Sequence, residues 1–161
     1  ETELKHANIH DGIDSTLILL NSKFDSARLE IIKDYDPGMP RIECFPGQLN
    51  QVFMNIISNA IDSISGYGRI TIKTTNLADE VEVSISDTGR GMPEEIKSKI
   101  FQPFFTTKDL GEGTGLGLSI TFGIVDKHHG KLTVDSEKDH GTTFTITIPK
   151  KQKEETVPVM T

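Results

Sequence analysis

Val81-Glu82-Val83-Ser84-Ile85-Ser86-Asp87-Thr88-Gly89-Arg90-Gly91 is the stretch that decides the fold. Val81, Val83 and Ile85 alternate with polar residues, as in a strand with one face on a core, and the same parity carries Asp87 onto that apolar face. A carboxylate in such a row needs a partner, because buried ionised groups are costly unless paired or strongly hydrogen-bonded. The glycines at 89 and 91 let the backbone bend close to something bulky. A flat ligand with an N–H₂ edge fits both features. Asp and Gly are equally at home in a strand-ending turn, so the neighbouring segments must decide between ligand and turn.

Arg69 to Thr75 alternates in the same way and is joined to this strand through Asn76 to Asp79, as in a hairpin. Upstream, Leu49, Val52, Phe53, Ile56, Ile57, Ala60, Ile61 and Ile64 repeat with a period near 3.6, predicting a helix from about Gly47 to Ser65 that Gly66-Tyr67-Gly68 stops. A shorter helix is predicted from about Asp11 to Asn21, followed by a strand over Arg28 to Tyr35 that Asp36-Pro37-Gly38 ends. Downstream, Pro93 opens a short helix. Residues 105 to 114 read as a mobile loop, and Leu116, Ile120 and Ile124 form one face of a further helix capped by Gly130. Lys131 to Ser136 and Thr142 to Pro149 alternate as closing strands, and the charged tail from Lys150 is expected to be disordered. The fold class is therefore α+β, an α/β sandwich whose mixed, mainly antiparallel sheet is covered on one face by helices.

The chain's 161 residues suit one domain with a sizeable core. The lone Cys44, set between Ile42 and Phe45, reads as a core residue in a reduced compartment. No apolar run reaches membrane-spanning length and no cleavable signal is visible, so a cytoplasmic location is expected. The net charge of −7 argues against nucleic acid as a partner, and 6% aromatic residues leave little for base-stacking platforms.

Two further features carry chemistry. Asn55 and Asn59 share a helix face beside the apolar stripe, flanked by Gln51 and Asp62. Amide oxygens there are hard ligands suited to Mg²⁺, which keeps several waters and shares other positions with substrate phosphates, although two indifferent amides on a solvated edge would look the same. Gly111-Glu112-Gly113-Thr114-Gly115-Leu116-Gly117-Leu118 runs alternate glycines into a helix start, where backbone N–H groups and the helix dipole favour an anion. It lacks the Gly-Lys-Ser or Gly-Lys-Thr of a P-loop.

Together these elements resemble one family. Asn55-Ile56-Ile57-Ser58-Asn59-Ala60 is similar to the N box of sensor histidine kinases, Asp87-Thr88-Gly89-Arg90-Gly91-Met92 to the G1 box and Phe101-Gln102-Pro103-Phe104-Phe105 to the F box. Gly113-Thr114-Gly115-Leu116-Gly117-Leu118 resembles the G2 box, and Gly141-Thr142-Thr143-Phe144 the glycine-containing closing strand. The order matches, and the resemblance covers about His10 to Pro149. It implies the ATP-binding catalytic domain of a two-component kinase, with the Bergerat fold of the GHKL superfamily and ATP and Mg²⁺ as cofactors.

By that resemblance Asp87 accepts a hydrogen bond from the adenine amine, Gly89, Gly91 and Met92 form the turn beside it, and Thr142 shares a water with Asp87 and the base. Thr142 also has the parity of Phe144, Ile146 and Ile148, which supports this independently. Asn59 is implied as the Mg²⁺ ligand, Asn55 as a partner of phosphate or metal-bound water, and Asp62 as a neighbour of both. The segment from Thr106 to Gly113 is implied as a lid, with Thr106, Thr107, Lys108, Gly111, Gly113, Thr114, Gly115, Leu116, Gly117 and Leu118 around the phosphates. Many members carry Lys or Arg followed by Tyr or Phe just beyond the second Asn. Here that stretch is Ile61-Asp62-Ser63, leaving Lys108 or Arg90 as substitutes.

Related ATPases of the wider superfamily typically carry Glu where Asn55 stands. A carboxylate can take a proton from water and an amide cannot, so Asn55 favours phosphoryl transfer to a protein side chain over an ATPase, a nucleotide-driven switch or a nucleotide-sensing module. None of the five histidines, His6, His10, His128, His129 and His140, has the helical surroundings of a phosphoacceptor. His10-Asp11 has the expected dipeptide but no room for a two-helix hairpin before Arg28, so His10 reads as a linker or cap residue. The acceptor is expected on an upstream dimerisation hairpin. Residues 1–10 are then a linker remnant, 11–149 the ATP-binding domain and 150–161 a tail. A response-regulator receiver domain is the expected second partner, with this chain monomeric and the intact kinase a homodimer.

Overall fold

A computed structural model describes residues 3–101 and 117–152. In chain order the elements are β1 (Lys5–Ala7), α1 (Ile9–Leu19), α2 (Asn21–Ala27), β2 (Leu29–Asp34), β3 (Ile42–Cys44) and α3 (Pro46–Ser63). They continue with β4 (Gly68–Asn76), β5 (Glu80–Asp87), α4 (Glu94–Lys97), α5 (Gly117–Lys127), β6 (Lys131–Ser136) and β7 (Thr142–Pro149). Five strands form one sheet in the order β2-β4-β5-β7-β6. Only β2 and β4 run parallel, since α3 crosses over between them; the other pairs are antiparallel. This is the mixed, mainly antiparallel sheet that the alternation predicts.

The helices cover one face. Ile70 and Ile72 of β4, Val81, Val83 and Ile85 of β5, and Phe144, Ile146 and Ile148 of β7 are buried beneath them. α3 supplies Leu49, Val52, Phe53, Ile56, Ile57, Ala60 and Ile61 to the same core, and α1 adds Ile9, Ile13 and Leu17. Each large aliphatic side chain removed from water stabilises the fold by about 1.5–3 kcal/mol, so α3 is held chiefly by its apolar stripe. The opposite sheet face carries Glu82, Ser84, Ser86, Thr143, Thr145 and Thr147 and stays partly exposed, as an open antiparallel face can. Cys44 is buried, as expected from its neighbours.

Several sequence expectations need correction. β1 and β3 pair antiparallel, with Lys5 opposite Cys44, and three-residue strands are too short to show alternation. Residue 10 lies in the first turn of α1. Asn8 Oδ1 caps that helix by accepting the His10 N–H at 2.8 Å. His10 is neither linker nor cap: its Nε2 lies 2.7 Å from Thr74 Oγ1 and its ring stacks on Tyr35 at 4.1 Å. The helix expected from Asp11 to Asn21 is α1, and after a break at Leu20 a second helix, α2, follows that the sequence reading did not expect.

A further correction concerns α5. The predicted face holds only in part: Ile124 packs against the core, but Ile120 is 39% exposed, Thr121 and Val125 are the buried positions, and Leu116 lies outside the described residues. His128, 0% exposed, sets that rotation. Its Nδ1 donates to Ile124 O at 2.8 Å and its Nε2 accepts the Phe45 N–H at 3.1 Å, which fixes the neutral Nδ1–H tautomer. The left-handed residue ending the helix is His129, with φ 60°, rather than Gly130. Finally, Lys150 to Gln152 are ordered: Lys150 N–H donates to Asp79 O at 3.0 Å, and Gln152 Nε2 donates to His128 O at 2.8 Å. The rest of the tail lies outside the described residues.

His128 ties α5 to the start of α3 through a buried acceptor. His128→Leu is expected to lose about 1–3 kcal/mol by stranding the Phe45 N–H, measured as a lower urea midpoint at unchanged m-value.

Candidate functional site

α3 presents two faces. Opposite its core stripe, Asn55 and Asn59 are half-buried and lie one turn apart. Asn55 Nδ2 donates to Gly117 O and to Thr121 Oγ1, both at 3.1 Å, and Thr121 Oγ1 donates to Gly117 O at 2.8 Å. These bonds lock the Asn55 amide against the first turn of α5 and leave its Oδ1 without a hydrogen bond among the described residues. Asn59 makes no side-chain hydrogen bond to any described residue. Asp62 is exposed near the end of α3, and its carbonyl accepts from Arg90 Nη1 at 3.4 Å.

Asp87 ends β5, opposite Ile70 of β4 and Thr142 of β7, on the inward row that its parity predicts. Its Oδ1 accepts the Gly89 N–H at 2.8 Å and the Ser63 hydroxyl at 3.2 Å. Burial pushes the carboxyl above the usual range, and hydrogen bonds from the Gly89 backbone, Ser63 and the Thr142 backbone, with the Arg90 charge, only partly oppose this. A desolvated carboxylate with a raised titration is a recurring mark of a binding site.

The turn after Asp87 is held by close backbone packing. Gly91 has φ +63°, and a Cβ there would run into the Glu137 carbonyl, so no other residue fits without rebuilding the turn. Met92 packs partly against the core, and its N–H donates to Ser136 Oγ at 2.8 Å. Thr142, 6% exposed, has its Oγ1 2.8 Å from Ser136 Oγ. The Thr142 hydroxyl is thus beside Asp87 but shared with Ser136, which also donates to Gly141 O at 3.0 Å.

The structure places Asn55, Asn59 and Asp62 along the second half of α3, Asp87, Gly89, Gly91 and Met92 at and just after the end of β5, Thr142 at the start of β7, and Gly117 and Leu118 at the start of α5. Thr106, Thr107, Lys108, Gly111, Gly113, Thr114, Gly115 and Leu116 lie outside the described residues, as do Phe104 and Phe105. Phe101 is half-buried, 5.6 Å from the Phe122 ring. Ser63, Thr121 and Ser136 escape the sequence reading. Ser136 shares the parity of Leu132 and Val134 and could have been found by it, and Thr121 stands one turn after Gly117. No sequence signal links Ser63 to Asp87. Among the described residues no three His, Cys, Asp or Glu side chains gather as metal ligands. A cation held here would depend on amide oxygens and on the ligand's own oxygens.

The model of the histidine kinase-, DNA gyrase B- and HSP90-like ATPase family matches residues 45–152. The chain belongs to this family. Sporulation kinase E of Bacillus subtilis is 40% identical over 142 residues, which are 87% of this chain and 19% of that kinase. This histidine kinase-like ATPase domain thus spans about a fifth of that relative. The nucleotide-free catalytic domain of histidine kinase ThkA superposes with a TM-score of 0.84 at 34% identity, covering 93% of this chain and 97% of that one. ThkA in complex with response regulator protein TrrA matches with a TM-score of 0.76 at 29% identity, over 91% of this chain and 42% of that chain. The family's ATP-binding domain and the mixed sandwich are therefore established for this chain. No helix among the described residues is long and apolar enough to cross a membrane.

The raised titration of Asp87 has a stability consequence. Its folded carboxyl titrates above the unfolded one, so its ionisation opposes folding near neutral pH, and that penalty vanishes below the unfolded value of about 3.9. Asp87→Asn is expected to raise the melting temperature of the nucleotide-free protein near neutral pH. The gain over the parent shrinks as pH falls toward about 4, followed by scanning calorimetry across that range.

Proposed function

We propose that this domain binds Mg²⁺·ATP and passes the γ-phosphoryl group to a histidine on an upstream dimerisation hairpin of a two-component sensor kinase. The observation that carries this reading is the Asn55 amide. A proton acceptor at that place would activate water for hydrolysis, whereas an amide tied down by Gly117 and Thr121 can only orient phosphate or water. The named relatives are kinases, which favours transfer over the ATPase alternative.

Asp87 accepts the exocyclic amine of adenine, with the Gly89–Met92 turn and Thr142 shaping the base pocket. Asn59, whose side-chain oxygen has no partner among the described residues, fits a hard cation, with Asn55 Oδ1 beside it. Bound Mg²⁺ would neutralise phosphate charge. The N-terminal turn of α5 aims its backbone dipole at the same region. Phosphoryl transfer needs mainly positioning and charge neutralisation, so the domain requires no general base of its own. The acceptor histidine is itself the nucleophile once its attacking nitrogen is unprotonated. His10 and His128 are engaged in the fold and unsuited to that role. The phosphoryl group then passes to a response-regulator aspartate, a partnership supported by the ThkA–TrrA complex. Dimerisation belongs to the hairpin, with this chain monomeric alone.

Calorimetry with a non-hydrolysable ATP analogue tests the reading: folded protein that binds none overturns it. Asp87→Asn is expected to weaken binding by about tenfold or more, the equivalent of one charge-assisted hydrogen bond. Asn59→Ala should leave affinity without Mg²⁺ nearly unchanged while flattening the gain that Mg²⁺ brings. With a separately expressed hairpin and labelled ATP, acid-labile, base-stable label on the hairpin marks phosphohistidine. Rapid phosphate release without it marks an ATPase.

A further inference from the structure

Ser63 stands one turn beyond Asn59 at the last residue of α3. Its hydroxyl lies between two acceptors, Ala60 O at 2.8 Å and Asp87 Oδ1 at 3.2 Å. The Ser63 carbonyl accepts the Arg90 N–H at 3.0 Å. A Cβ on Gly89 would come within 2.7 Å of that same carbonyl, so the turn after β5 is seated directly on the end of α3. Asp87 Oδ1 also receives the Gly89 N–H at 2.8 Å, which places both donors on one oxygen. The terminal torsion of an aspartate is broad, and two donors from different segments confine the carboxylate plane more tightly than one.

We propose that Ser63 is a positioning residue for nucleotide recognition: its hydroxyl holds Asp87 Oδ1 and so presents Oδ2 to the exocyclic amine of the base. The proposal rests on the assignment of Asp87 to adenine and adds the group that aims it. The Ser63 hydroxyl has one proton for its two acceptors. An ionised carboxylate draws it more strongly than a neutral carbonyl does, whereas a protonated carboxyl releases it to Ala60 O. Ser63 thereby favours the ionised form of Asp87, in the same direction as its effect on that carboxyl's titration.

The test compares non-hydrolysable analogues of ATP and ITP by calorimetry from acidic to neutral pH, using the parent chain, Ser63→Ala and Ser63→Thr. Hypoxanthine lacks the amine and reads only the rest of the pocket. Ser63→Ala is expected to weaken the adenine analogue by about tenfold while leaving the hypoxanthine analogue unchanged. The acid limb of adenine binding should move to higher pH, and Ser63→Thr should restore both. Unchanged base discrimination and an unchanged acid limb in folded Ser63→Ala would overturn the proposal. If Ser63→Ala does not fold, Ser63→Cys, a weak donor of similar size, is read against the same outcomes. A parent chain that fails to prefer adenine overturns the assignment of Asp87 instead, so the two failures are distinguishable.

Discussion

The end of β5 is clamped from three sides by main-chain hydrogen bonds, and the site depends on that clamp. Thr88 N–H donates to Arg69 O at 3.1 Å and Arg90 N–H to Ser63 O at 3.0 Å, while Asp139 N–H donates to Arg90 O at 2.6 Å. Met92 N–H adds its bond to Ser136 Oγ. Strand β4, the end of α3 and the turn before β7 therefore all fix one short turn. Paired backbone groups are costly to strand, so the turn resists local opening. Asp87, immediately before it, keeps its inward direction although burial disfavours its charge.

α3 joins core and site in one element. Its apolar stripe packs under the sheet while its amide row faces α5, and the two faces are separated only by helical periodicity. Burial of the stripe fixes the helix rotation, and that rotation sets where Asn55, Asn59 and Ser63 lie. His128 performs a related task from the other side. By accepting the Phe45 N–H it ties the end of α5 to the start of α3 and helps set the register in which Gly117 meets Asn55.

In the proposed adenine-binding role, Asp87 is where stability and recognition part. A neutral side chain of equal size would suit its surroundings better in the free protein, yet only a carboxylate pairs well with an amine edge while accepting from Ser63 and Gly89. Sites that bind through desolvated charge characteristically hold such residues at a cost to folding. The Ser63 hydroxyl and the backbone N–H groups of Gly89 and Thr142 moderate that cost by supplying donors without adding charge.

The sequence by itself determined the strand alternation that carries Asp87 and Thr142 inward, the amphipathic helix that bears Asn55 and Asn59, and the ordered motifs that identify the family. These were legible because strand and helix periods are local properties of the chain. Only the tertiary structure decided that Lys5–Ala7 closes onto Ile42–Cys44, that α5 turns Thr121 rather than Ile120 inward, and that His128 is an internal hydrogen-bond bridge. It likewise decided that Ser63 reaches Asp87, 24 residues away in sequence. Such pairings depend on how whole elements pack, and no periodicity within one segment encodes which residue of another segment it will meet.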